Sequence, residues 1–420
     1  MRLPATLPSL LGVVATLATG LHAQNYDRTI LVTGLSTPTG IAVHNGSGDL
    51  YFTELPEPGV FSRNNTVSMY DASSSTVSAI VRGEPGPTNI VVDDARSIYW
   101  TCKAVGPVMR LRGGVMTQVA RGDNPTGIAM SPAGRLYITE VPTPGVFGTS
   151  GGRNRVAEIG SGGSINTVVA GEPEPVDVVV DANENLYWTC QTVGVILKRE
   201  ASTGNVSMVL NGLEQPVGLA MDDAGNLYFS EIPTPGVFGT AGGRNKVWKY
   251  DPSTGGLTLI NCGDPEPRDV AVTADGSSVY WTCSTAGVIV RANRIGPAPT
   301  VTARGPLMVG GRTDLDLSAP GSAGDTYFAL TSMSIGAVPL PGGDFLPIAW
   351  DGLLQVTATM SATGVFQNYT GTLDGSGQAS AAIQLPGFPA LQGLRFNTAF
   401  LVFGGTTLND VSDALTQQVR

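Results

Sequence analysis

The chain has 420 residues, with 55 Gly, 29 Pro and only 14% charged side chains, a balance that suits many short strands joined by tight turns and excludes a helical bundle. The formal net charge is −10 and no basic stripe is visible, which argues against a nucleic-acid partner and fits a cation or a neutral ligand better. After the first 23 residues the only histidine is His44, so a Ser-His-Asp hydrolase would depend on that one side chain.

Residues 1–23 have the organisation of a secretory signal: Arg2, the apolar run LLGVVATLATGL, and a small-residue end at Ala23. No later stretch reaches 18 apolar residues, so the sequence predicts a secreted, periplasmic or cell-surface protein with no membrane span.

Residues 28–34 (RTILVTG) predict a lone strand. Six similar units follow, led by Pro38, Pro87, Pro125, Pro175, Pro216 and Pro267, at spacings of 49, 38, 50, 41 and 51 residues. Each proline opens an apolar run (GIAV, NIVV, GIAM, DVVV, GLAM, DVAV), then a turn rich in Asp, Asn and Gly, then a second strand (LYFT, IYWT, LYIT, LYWT, LYFS, VYWT). Self-similarity at this period, with about four strands per unit, is the signature of β-propeller blades. The last unit lacks a fourth strand of its own, and Thr29–Gly34 resembles the fourth strands elsewhere, so the N-terminal strand is expected to complete it and close the ring.

The spacing alternates long and short, so the true repeat is a blade pair present three times. Odd units insert a loop after the second strand (ELPEPGVFSRNN, EVPTPGVFGTSGGRN, EIPTPGVFGTAGGRN), whereas even units turn at once through CKAVG, CQTVG and CSTAG. After residue 297 the leading prolines stop, while strand signals continue in YFALTSMS, LLQVTATM, FQNYTGTL, ASAAIQL and FNTAFLVF. The expectation is an all-β chain: a six-bladed propeller with pseudo-threefold blade pairs over residues 24–297, and an antiparallel β-sandwich over 298–420.

Through GIAV–DLYFTE, NIVVDDARSIYWT and GLAMDDAGNLYFSE, residues 28–296 resemble the NHL, SMP-30/gluconolactonase and virginiamycin B lyase-like six-bladed propellers. The YWT strands are also similar to YWTD repeats, with Cys in place of Asp. The resemblance implies a fold shared by lactonases, lyases and binding modules. SMP-30-type lactonases would take a divalent-metal ligand from the end of the second strand. They would also carry Asn after the leading proline, where this chain has Thr39, Thr88, Thr126, Val176, Val217 and Arg268. The resemblance to virginiamycin B lyase implies a catalytic His late in the propeller; His44 lies in the first unit and is read as structural.

Three sets of residues are candidates for a site. Glu54, Glu140 and Glu231 end the second strands of odd units and alternate with Cys102, Cys190 and Cys283 in even units; these six are expected to ring one channel mouth. There the carboxylates would suit Ca²⁺ or another divalent cation and the thiolates a softer one; the competing structural reading is strand-end hydrogen bonding and burial of small Cys. Asn89, Asp177 and Asp269 lie two residues after the leading proline in even units, where odd units have Gly40, Gly127 and Gly218. Carboxylates converging there would need a cation or raised pKa values; the structural alternative is local capping. The odd-unit loops present Phe61, Phe147 and Phe238, with Arg153 and Arg244, as a rim that could grip a carboxylate or tuck its rings between blades. The acidic loops GEPGP, GEPEP and GDPEP face the same way.

Cys102 and Cys190 are expected as thiols because threefold-related positions are too far apart to bridge; Cys262 with Cys283 is a possible disulfide. The first functional reading is a secreted binding or interaction module for a small molecule, glycan or protein, using the face with the long loops. The alternative is a divalent-metal-dependent lactonase-like hydrolase or lyase at the channel mouth.

Overall fold

The computed structural model describes residues 26–56, 64–103, 105–142, 154–233, 245–296, 299–340, 344–359 and 364–420. The chain divides into two compact units, one of Arg28–Val247 with Gly263–Arg294, the other including Trp248–Cys262 and Ile295–Arg420. Phe61, Phe147, Phe238, Arg153, Arg244 and the leader over 1–23 lie outside the described residues.

The first unit begins with the inner part of β1 (Tyr26–Val32). Four complete four-stranded antiparallel sheets follow. They comprise β2–β5 (Pro38–Val43, Leu50–Glu54, Thr66–Asp71, Thr76–Arg82), β6–β9 (Pro87–Val92, Ile98–Cys102, Pro107–Arg112, Val115–Arg121), β10–β13 (Pro125–Met130, Leu136–Glu140, Arg155–Ile159, Ile165–Ala170) and β14–β17 (Pro175–Val180, Leu186–Cys190, Val195–Arg199, Val206–Leu210). Next come β18 (Pro216–Met221), β19 (Leu227–Glu231) and the start of β20 (Lys246–Asp251), whose remainder belongs with β21 (Gly256–Cys262) to the second unit. The last sheet runs β22 (Pro267–Val272), β23 (Ser278–Cys283), β24 (Val288–Arg294), with β1 as the outer neighbour of β24. The first strands neighbour one another in cyclic order: β2, β6, β10, β14, β18, β22 and back to β2.

Apolar runs such as GIAV and DVVV are required because each sheet is covered on both faces by its neighbours. Ala42, Tyr51 and Val67 of one sheet form a cluster with Ile90, Ile98, Trp100 and Cys102 of the next. Val178, Leu186, Trp188 and Cys190 do the same with Ala129, Tyr137 and Val156. Trp100, Trp188 and Trp281 are fully buried; each ring removes roughly 150–250 Å² from water and is among the largest apolar contributions in its layer.

A shared local device holds the first strands together. In every unit the register slips between the leading proline and the third residue after it, as between Pro38 and Ile41 or Pro175 and Val178. The N–H freed by this bulge donates to the hydroxyl that ends the second-strand signature: Gly40 to Thr53 at 2.8 Å, Gly127 to Thr139 at 2.7 Å, Asp177 to Thr189 at 3.2 Å, Gly218 to Ser230 at 3.0 Å. The threonine hydroxyl then donates to a carbonyl of the next unit: Thr53 to Thr88, Thr101 to Thr126, Thr139 to Val176, Thr189 to Val217, and Thr282 back to Thr39 at 2.7 Å. One side chain thus satisfies a bulge donor and staples neighbouring sheets, so no buried backbone group is stranded there.

In the second unit, one sheet runs β25 (Thr300–Ala303), β26 (Arg312–Ser318), β32 (Gln378–Gln384), β30 (Phe366–Gln367). The other includes β21, β35 (Ala414–Gln418), β33 (Arg395–Gly404), β27 (Thr326–Ser332) and β31 (Thr370–Thr372), with β34 (Thr407–Val411) beside β33. β28 (Val338–Pro339) and β29 (Phe345–Leu346) pair separately. Leu315, Leu317 and Ile383 from the first sheet share one apolar cluster with Tyr327, Phe400, Val402 and Leu415 from the second. LLQVTATM, read from sequence as a strand, is instead helix α1 over Gly352–Thr359. Asp351 starts it, its carboxylate accepting the Leu354 N–H at 2.9 Å, and Leu354 and Thr357 are its buried residues. An Asp N-cap and a three-residue apolar spacing outweigh the β-branched residues here.

Candidate channel site

Two cavities lie along the axis enclosed by the first strands. One, of about 210 Å³, is lined by Ile41, Val43, Val91, Met130, Val180 and Met221, among others. The second, of about 120 Å³, is lined by Thr39, Thr88, Thr126, Lys103 and Arg268 together with Val176 and Val217. Asn89, Asp177 and Asp269 line both, so this trio forms the waist between them.

The alternation of Gly and Asx two residues after the leading proline now has a steric cause. A Cβ on Gly127 would lie 2.7 Å from the Asp177 Cα, and one on Gly218 2.6 Å from the Asp269 Cα. Odd sheets give up a side chain so that even sheets can place a polar one at the waist. There Asp177 accepts the N–H of Val178 and, across to the next sheet, that of Leu219, each at 2.8 Å. Asp269 accepts those of Val270 and Ile41, also at 2.8 Å. The Asn89 amide donates to Asp177 at 3.0 Å, so an amide in the third position relieves the repulsion that three carboxylates would suffer.

The remaining two carboxyls are almost wholly buried. Burial pushes Asp177 up to about 7, against the backbone donors that favour its charged form. Burial, then the neighbouring Asp177 carboxylate, raises Asp269 well above the usual range. The two carboxyls therefore compete for charge, and both are drawn toward the protonated form. At the mouth Lys103 is exposed, with Glu174 and Arg268 as its charged neighbours. Arg268 donates to Glu266 at 2.8 Å.

Glu54, Glu140 and Glu231 line neither axial cavity. They fold back over their own sheets, each accepting a backbone N–H two residues before a leading proline: from Ser36 at 2.8 Å, Asp123 at 2.7 Å and Glu214 at 2.6 Å. Glu140 is ion-paired to Arg155. Glu231 lies 3.3 Å from the Lys246 ammonium, which also meets Glu214 at 2.7 Å. Burial works against that ammonium, but Glu231 and Glu214 together raise its pKa. Glu140 and Glu231 do not fit a divalent ion, because their charges are already matched by cations. No group of three or more His, Cys, Asp or Glu among the described residues is arranged to hold a metal.

The even-unit cysteines also point away from the expected ring. Cys102, Cys190 and Cys283 are fully buried beside the acidic loops, whose carboxylates accept the indole N–H of Trp100 (Glu84, 2.9 Å), Trp188 (Glu172, 2.9 Å) and Trp281 (Asp264, 2.8 Å). The GEP and GDP loops are thus clips for buried tryptophans. Burial and the adjacent carboxylate push all three thiols far up, which makes them inert. None of the four cysteines is in a disulfide, so the Cys262–Cys283 bridge is not formed. His44 is buried, with Nδ1 2.8 Å from the Ser47 hydroxyl and Nε2 3.3 Å from the Asp94 carbonyl.

Sequence reasoning found Asn89, Asp177 and Asp269 but missed the Thr/Ser staples, although a hydroxyl recurs at that position in all six units. It also passed over Lys103, which has no counterpart in CQTVG or CSTAG.

No protein-family model and no curated protein matches the chain. Among solved structures, a gluconolactonase from Xanthomonas campestris superposes with a TM-score of 0.52 at 13% identity, over 64% of this chain and 91% of that one. A structural-genomics protein placed in a gluconolactonase family gives 0.50 at 13% identity, over 65% and 93%. A streptogramin B lyase gives 0.43 at 16% identity, over 64% and 98%. The chain therefore has the β-propeller fold of the gluconolactonase-like structures.

Proposed function

We propose that this protein is an exported six-bladed propeller, followed by a two-sheet sandwich, that binds a small hydroxy acid at the mouth of its central channel. One observation carries the reading: two cations, Lys103 and Arg268, line the same small cavity as Thr39, Thr88, Thr126 and the waist residues Asp177 and Asp269. The cations would take a carboxylate and the hydroxyls would orient neighbouring alcohols. The exported location rests on residues 1–23, and no helix among the described residues is long and apolar enough to cross a membrane. Calorimetric titration with D-gluconate tests the site. Binding that weakens at least tenfold in Lys103→Met and Arg268→Met supports it; equal affinity in both variants removes the mouth from consideration.

A second reading, lactone hydrolysis or elimination at the same mouth, is favoured by the Asp177–Asp269 pair, because a carboxyl near neutrality can pass a proton. In this reading Asp177 and Asp269 serve as acid and base and Lys103 stabilises developing negative charge; the Glu54, Glu140 and Glu231 metal set has no part in it. Turnover of D-glucono-δ-lactone above the spontaneous rate, lost in Asp177→Asn, separates the enzyme from the binding module.

A further inference from the structure

The three odd units repeat one arrangement and break it once. Across β10–β13, Glu140 faces Arg155, which faces Ala170. In the fifth unit Glu231 meets Lys246. Across β2–β5 the same row reads Glu54, Thr66, Arg82. The position that supplies a cation in the sister sheets holds a threonine, and the positive charge has moved one strand outward.

The substitution leaves space. A cleft of about 680 Å³ opens here, lined by Glu54, Thr66, Ser68, Ser36, Asn64 and Arg82, among others. Glu140 and Glu231 are each 1% exposed, whereas Glu54 is half-buried at the cleft wall. Its Oε1 accepts from the hydroxyls of Thr66 at 3.0 Å and Ser68 at 3.1 Å, and its Oε2 from the Ser36 N–H at 2.8 Å. These neutral donors hold and aim the carboxylate without cancelling its charge. Arg82 is exposed and makes no ion pair among the described residues. Residues facing one another across antiparallel strands share a face. Glu54 and Arg82 are two strands apart, roughly 10 Å between backbones. With both side chains standing off that face their charged ends are about as far apart as their strands, roughly 10 Å, a separation that an extended basic amino acid can bridge with its two ends.

We propose that this cleft binds a free cationic amino acid or the equivalent end of a peptide. Its guanidinium or ammonium sits on Glu54 where Arg155 and Lys246 sit in the sister sheets, and its carboxylate reaches Arg82. The occupant replaces a charge that the sister sheets supply covalently. The site is off the channel axis and independent of the channel-mouth reading.

Calorimetric titration of the mature full-length protein with L-arginine tests this. Saturable binding is expected, weakened at least tenfold in Glu54→Gln. Arg82→Ala should weaken L-arginine but leave agmatine, which has the same guanidinium and no carboxylate, unchanged. Thr66→Arg should abolish binding of both without lowering the melting temperature, because it recreates the Glu140–Arg155 pair in place. No saturable heat with the wild type at about 10 mM, or undiminished binding in Glu54→Gln and Thr66→Arg, overturns the proposal. Should Thr66→Arg fail to fold, the Glu54→Gln and Arg82→Ala results still decide it.

Discussion

Gly218 and Asp269 occupy one another's space: a Cβ on Gly218 would stand 2.6 Å from the Asp269 Cα and 2.9 Å from its Oδ1. This contact makes the glycine obligatory although its backbone is not left-handed. Gly218→Ala should cost about 1–3 kcal/mol by overpacking. Urea denaturation checks it, and a variant as stable as the wild type would mean that the waist can yield.

The hydroxyl staples give a second outcome. Thr139 accepts the Gly127 N–H at 2.7 Å and donates to the Val176 carbonyl at 2.9 Å. Thr139→Val keeps the shape and strands both backbone groups, so a loss of about 2–4 kcal/mol is expected. Thr139→Ser should keep most of the stability. Similar stabilities for the two variants would show that the hydroxyl is not a staple.

The carboxyl pair predicts the direction of a pH dependence. Asp177 keeps its proton up to about pH 7 when folded, whereas an unfolded aspartic acid releases it near about pH 4. Between those values the native state binds more protons, so this pair's contribution to stability falls as pH rises. Asp269→Asn copies the position of Asn89 and removes one competing charge. It also leaves either the Ile41 or the Val270 N–H facing an amide NH2, at a cost of about 1–3 kcal/mol, so stability should fall near pH 4 while the profile between about pH 4 and 7 flattens. An unchanged slope would show that the two groups do not compete for charge.

The thiols should divide by burial. Cys102, Cys190 and Cys283 are buried and pushed far up, while Cys262 is half-buried. A thiol reagent at pH 8 should therefore modify at most one cysteine per native chain and all four after unfolding. Rapid native labelling of two or more would contradict the burial of the even-unit set.

The repeats are legible in the sequence because each proline-led run and each LYxT strand restates one solution in residue types that the solution requires. The waist is legible for the same reason: Asn89, Asp177 and Asp269 stand out against Gly40, Gly127 and Gly218. The direction of a side chain at a strand end is not. The repeat pattern alone aims Glu140 at the channel, but whether it turns outward depends on Arg155, fifteen residues later across a long insertion. The same holds for Cys190, whose surroundings are set by the Trp188–Glu172 bond. In Gly352–Thr359 the β-branched residues suggest a strand, and the helix is fixed by the Asp351 cap and by burial of Leu354 and Thr357.

The most direct test of the channel site is a crystal structure of the mature protein soaked in D-gluconate. The account predicts a ligand carboxylate within hydrogen-bond distance of Lys103 and Arg268, with ligand hydroxyls against Thr39, Thr88 or Thr126. A mouth that stays empty at saturating ligand, or a ligand seated elsewhere, would contradict it.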